Sequence, residues 1–91
     1  MIVTLPWYAS EGEYERFRAT AIDSADFFET YDAWRRAALE HELRAESRGV
    51  VLVRILLRYE EFTAWQGTTG SENNAAGRSA YADWRATEVI G

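Results

Sequence analysis

The sequence predicts a small α+β domain in the order β-α-α-β-α-α, with a two- to three-stranded sheet packed by about four helices. Three observations carry that prediction. Val50 to Arg58 holds seven apolar residues, four of them β-branched, and nothing that breaks a strand, which reads as a strand covered on both faces. On either side of it, apolar residues recur at three- and four-residue spacing, the mark of amphipathic helices. The chain has 91 residues, 47% of them hydrophobic and 14% aromatic. That is enough for one core with large rings as its main filling, so residues 1–91 are expected to form a single domain.

Each element has its own local signal. Ile2 to Leu5 reads as a short strand that Pro6 stops, because proline brings no amide hydrogen to a ladder. Ser10-Glu11-Gly12-Glu13 has the spacing of a capping box and opens a helix to about Thr20, with Tyr14, Phe17 and Ala21 on one side. Residues 23–28 connect it to a second helix, capped by Thr30, running to about Ser47 and closed by Gly49. Tyr31, Trp34, Ala38 and Ala45 share its inner face, and Glu42 interrupts the apolar pattern beside them. After the strong strand, Glu60 to Gln66 makes about two helical turns closed by Gly67, and residues 67–70 form a tight linker. Ser71 is expected to cap the last helix, where Ala76, Ala80, Tyr81 and Trp84 share a side. Gly77 inside that helix costs about 1 kcal/mol relative to Ala and calls for a close backbone neighbour, most often another helix. Residues 88–91 read as a tail in which Val89 and Ile90 are able to add a short third strand. The two main strands, joined by a helical crossover, should be parallel.

Composition excludes several functions. There is no Cys, so disulfides, zinc-thiolate sites and thiol nucleophiles are ruled out, and a reducing cytoplasm suits the chain. Neither a signal peptide nor a membrane span is expected, since no apolar run approaches about 20 residues. The net charge of −5 disfavours duplex nucleic acid, whose binding depends on phosphate neutralisation. The acidity is concentrated in residues 1–45, with nine acids against five Arg, whereas residues 46–91 hold six acids and five Arg. All ten basic residues are Arg, which excludes lysine Schiff-base and general-base chemistry; the bias fits either a GC-rich genome or a use of planar bidentate contacts.

Phe28-Glu29-Thr30-Tyr31-Asp32-Ala33-Trp34, Glu61-Phe62-Thr63-Ala64-Trp65-Gln66, and Arg78 with Tyr81 together resemble a pattern in small uncharacterised bacterial proteins. Those proteins carry Thr-Tyr-x-x-Trp, Phe-x-x-Trp-Cys and Arg-x-x-Phe/Tyr segments over nearly the whole chain. Gln66 stands where their Cys is usual, and Leu57-Arg58-Tyr59 where an Asp-Pro turn is usual. The resemblance implies a fold and no activity.

No catalytic residue, metal ligand set or cofactor is predicted. His41 is the one histidine, and its neighbour Glu42 points about 100° away from it on a helix, unlike the paired ligands of a metalloprotease helix. Glu42 and Arg54 are the two breaks in the apolar pattern of long helix and strand; they are expected to meet as a partly buried ion pair, or Arg54 serves a ligand. Arg54, Arg58, Trp65, Arg78, Tyr81, Trp84 and Arg85 are the candidate partner-binding residues, since Arg, Trp and Tyr dominate binding hot spots. Trp65 and Trp84 also fit interior packing, and Arg78 and Arg85, seven apart, are placed on the surface. These features point to a non-enzymatic protein-binding or regulatory module of unknown partner. The alternative is a small enzyme or ligand-binding protein using carboxylates and Arg58 with Arg54 in a helix–sheet cleft. So few strands around so apolar a run also imply a homodimer, unless the tail covers the free edge.

Overall fold

The computed structural model describes the backbone of residues 1–90 and the side chains of residues 1–88. The chain forms β1 (Ile2–Tyr8), α1 (Glu11–Thr20), a 3₁₀ turn at Ser24–Asp26, α2 (Tyr31–Ser47), β2 (Val51–Leu57), α3 (Tyr59–Thr69) and α4 (Ala75–Ile90). The α+β order is the expected one. Among the described residues the sheet has two strands, β1 and β2, paired in parallel with Ile2 opposite Val51 and Tyr8 opposite Leu57.

Hydrogen bonds at the two ends of the ladder fix which groups face inward. Val51 N–H donates to the Met1 carbonyl at 2.9 Å, and Ala9 N–H to the Leu57 carbonyl at 3.4 Å. Along a parallel pair the bonding residues alternate, so Val51, Val53, Ile55 and Leu57 bond to β1 while Leu52, Arg54 and Leu56 turn their backbone groups outward. On β1 the outward positions are Ile2, Thr4, Pro6 and Tyr8. Pro6 therefore does not stop the strand. Its missing N–H falls on the free edge, where no ladder bond is lost, and β1 continues to Tyr8.

The same alternation divides the side chains between two faces. Thr4, Pro6, Val53 and Ile55 face α4, where Ile55 and Val53 pack on Ala82 and Ala86, and the Thr4 hydroxyl donates to the Asp83 carboxylate. Val3, Leu5, Trp7, Leu52, Arg54 and Leu56 face the side of α2, where Trp34 meets Trp7 edge-on at 4.9 Å between ring centroids. This second face is only half closed, with Leu56 46% exposed against 8% for Ile55. The strong strand is thus closed on the α4 face and only partly covered by α2 on the other. The main core lies at the C-terminal ends of the strands, where Tyr8 and Leu57 join Tyr14, Phe17, Phe62, Trp65 and Tyr81.

Helix boundaries follow side-chain caps. The Ser10 hydroxyl accepts from Glu13 N–H and the Thr30 hydroxyl from Ala33 N–H, as their spacing predicts. Glu13 does not complete a capping box; its carboxylate accepts the Tyr59 N–H at 2.7 Å and so caps α3. That helix runs past Gly67 to Thr69, and Gly70 closes it with a φ of 72° and an amide bond to the Gln66 carbonyl. The Thr68 and Thr69 hydroxyls both bond to the Trp65 carbonyl, which draws the expected linker into the helix. Asn74, not Ser71, caps α4 by accepting from Gly77 N–H at 2.8 Å. The backbone of Val89 and Ile90 is helical, so the sheet gains no third strand from it.

Gly77 is required by the loop that precedes its own helix, not by another helix. A Cβ there would overlap the Glu72 carbonyl oxygen and lie 3.1 Å from its carbon. Gly77→Ala, which in an open helix would stabilise by about 1 kcal/mol, is expected here to destabilise by about 1–3 kcal/mol through overpacking. Urea denaturation of the two proteins gives the sign.

Candidate functional site

Two of the candidate arginines are held by carboxylates of the fold itself, Arg54 at the surface and Arg78 in the interior. Arg54 grips Glu42 in a bidentate pair, Nε to Oε2 and Nη2 to Oε1, each 2.7 Å. Its guanidinium also lies 3.7 Å from the centroid of the Trp7 ring. The hydrogen bonds from Arg54 hold the Glu42 carboxyl below its usual range, and Glu42 in turn raises Arg54. The meeting of Glu42 and Arg54 expected from the sequence is therefore present, whereas Arg58 lies apart from it, 3.9 Å from Glu61. Among the described residues Arg54 and Arg58 pair with different carboxylates, Glu42 and Glu61.

Arg78 is not a surface residue. It is 7% exposed, and it bonds to both carboxylate oxygens of Asp23 and, at 2.9 Å, to the Asn73 side-chain oxygen. Asn73 donates from Nδ2 to the Phe17 carbonyl and the Thr20 hydroxyl, and its own carbonyl accepts from Ile22 N–H. Every strong polar group in this buried node has a partner, the condition under which such networks fix a geometry. The node joins the end of α1 to the start of α4 across more than fifty residues, so the seven-residue spacing of Arg78 and Arg85 could not reveal it. The hydrogen bond from Arg78 lowers the Asp23 carboxyl against the opposing effect of burial. Close by, burial pushes the Tyr8 hydroxyl up to about 12.

The remaining candidates, apart from Arg58, gather between α3 and α4. Trp65 and Tyr81 project from facing turns with centroids 5.5 Å apart, and Trp84 lies 5.8 Å from Tyr81 and 6.5 Å from Trp65. The three rings line a groove of about 320 Å³ together with Glu61, Ala64, Thr68 and Arg85. Trp65 is 8% exposed and serves as its floor, while Trp84 is 40% exposed and forms a wall. At one end Arg85 meets Glu61 at 3.4 Å, both side chains remaining about half exposed. The Tyr81 hydroxyl is buried under that end with no hydrogen-bond partner, and burial, then Glu61, raises its pKa. An aromatic floor and wall and one half-exposed guanidinium are groups that recognise; among the described residues no cluster of three acids or histidines is placed to hold a metal.

The chain has been compared with protein-family models, curated proteins and solved structures, and nothing matches it.

Asp23 supplies a pH test of the node. Its folded-state pKa lies below the unfolded value of about 3.9, so the stability it contributes is complete above that value and is lost as pH falls through the lowered pKa. Asp23→Asn should cost about 3–5 kcal/mol at neutral pH, because Arg78 is left buried without its countercharge, and it should flatten the acid limb of a stability–pH profile. An unaltered acid limb would remove Asp23 from the account of acid stability.

Proposed function

We propose that this is a cytoplasmic, non-enzymatic protein-binding module, acting as a homodimer, whose partner seats a side chain in the groove between α3 and α4. The observation that carries this reading is Trp84, which is 40% exposed although it packs against Tyr81 and the buried Trp65. A half-exposed aromatic ring on a rigid aromatic base is preorganised for contact, and such residues contribute most to protein interfaces. The rim supports the same reading. The Arg85–Glu61 contact at 3.4 Å is longer than a charge-assisted hydrogen bond and is solvated, so a partner carboxylate competes for Arg85 at little cost. No described helix is long and apolar enough to cross a membrane. The reading with Arg54 as a ligand-binding group is the weaker one, because Glu42 already takes the Nε–Nη2 edge of that guanidinium.

Affinity capture from the native cytoplasm, followed by titration of the purified partner, tests the groove. Trp84→Ala should weaken that complex by about 2 kcal/mol, roughly thirty-fold in Kd, and Arg85→Glu should weaken it further at low salt. Trp84→Ala should remain folded while losing about 1–3 kcal/mol of stability, because its ring packs on Tyr81 and Trp65, and Arg85→Glu should stay within about 1 kcal/mol of the parent. A partner that binds both variants as tightly as the parent would place the interface elsewhere.

A further inference from the structure

The two free edges of the sheet are not alike. On β1, Pro6 presents no N–H at its outward position, and the outward carbonyl of Tyr8 already accepts the Tyr31 hydroxyl at 3.0 Å. That edge is blunted by the means natural sheets use against pairing. On β2, the outward N–H and C=O groups of Leu52, Arg54 and Leu56 have no protein partner among the described residues, and no proline or bulge interrupts them. Alongside runs a largely apolar groove of about 560 Å³ between α2 and the start of β2, lined by Leu39, Glu42, Leu43, Glu46 and Val50–Leu52. Leu43 is 66% exposed, Val51 57% and Leu56 46%. Val89 and Ile90 add no strand to this edge, since α4 stays helical to Ile90.

We infer that the outer edge of β2 pairs with the same edge of a second copy of this chain, antiparallel across a twofold axis at Arg54, giving a four-stranded sheet β1-β2-β2-β1. The asymmetry of the edges selects a second copy. Pairing of a β2 edge with a β1 edge would be head-to-tail and would leave a fresh edge at each step, and Pro6 and Tyr31 oppose it; β2 with β2 closes after two chains. The register also matches charge. About Arg54, Leu52 of each copy stands opposite Leu56 of the other, and Val50 stands opposite Arg58. Glu46, beside Val50 in the groove, makes no salt bridge among the described residues. Arg58 is 53% exposed with only the 3.9 Å contact to Glu61. The twofold brings Glu46 and Arg58 together at both ends, and the two Arg54 groups at the centre are each neutralised by their own Glu42. This deepens the homodimer of the proposed function and is independent of the aromatic groove.

Sedimentation velocity on the full chain at micromolar concentration tests the pairing. The parent should run at twice 10.4 kDa. Leu56→Pro, which removes an outward N–H and no bond to β1, should run as a folded monomer with an unchanged far-UV spectrum. Should that variant fail to fold, a charge exchange decides: Arg58→Glu should raise the dimer dissociation constant at least about ten-fold, and Glu46→Arg added to it should restore dimerisation. A monomeric parent, a dimer that survives Leu56→Pro, or an Arg58→Glu defect that Glu46→Arg does not repair overturns the inference. Trp84→Ala should remain dimeric, so loss of the partner with the dimer intact counts against the groove alone, and a monomer that still binds the partner counts against this pairing alone.

Discussion

The register of one parallel strand pair governs the rest of this fold. With Val51 bonded to Met1 and Ala9 to Leu57, the alternation along seven residues assigns every side chain of β1 and β2 to a face and every backbone group to an edge. It sends Ile55 and Val53 toward Ala82 and Ala86 on α4, and Trp7 and Arg54 to the side of Trp34 and Glu42 on α2. A slip of one residue would exchange the faces and turn Pro6 into the ladder, where its missing amide would leave a buried carbonyl unpaired. So small a sheet cannot stand alone. It is stabilised because helices on both sides use the two side-chain sets, and because an aromatic core closes its C-terminal end.

Electrostatics then separates residues of the same type into different roles. Arg78, Arg54 and Arg85 each face a carboxylate, but burial decides what the contact does. Around Arg78 the low dielectric makes an unpaired charge costly, and Asp23 supplies the countercharge while Asn73 accepts a further bond. Around Arg54 the bidentate geometry and the Trp7 ring hold a side chain that is still about 40% exposed. Arg85 and Glu61 are solvated and loosely matched, and a loosely matched charge is one a partner can take. That gradient, from a closed node in the interior to an open rim beside Trp84, is the physical basis for placing recognition at the groove between α3 and α4.

Much of the architecture is legible in the sequence because it depends on local pattern. The apolar run from Val50, the caps at Ser10 and Thr30 and the left-handed Gly49 each encode their element within a few residues. Misreadings occur where a distant group decides. Pro6 looks like a stop until the edge it faces is known. Glu13 looks like half of a capping box, yet Tyr59, 46 residues away, takes its carboxylate. Arg78 has helical spacing to Arg85 and still lies inside, because Asp23 and Asn73 reach it from loops whose approach no periodicity encodes. Of the candidate site, the aromatic residues Trp65, Tyr81 and Trp84 were recognisable by type and clustering. Which of them is floor and which is wall depends on how α4 is set down, and the buried node at its first turn sets it.

Native-state hydrogen exchange along β1 tests the strand register most directly. Because the amides of Val3, Leu5, Trp7 and Ala9 point into the ladder and that of Thr4 points out, protection should alternate, with Leu5 and Trp7 exchanging near the rate of global unfolding and Thr4 far faster. Protection at Thr4 equal to that at Leu5, or the opposite alternation, would contradict the register on which the faces, the blunted edge and the open edge all rest.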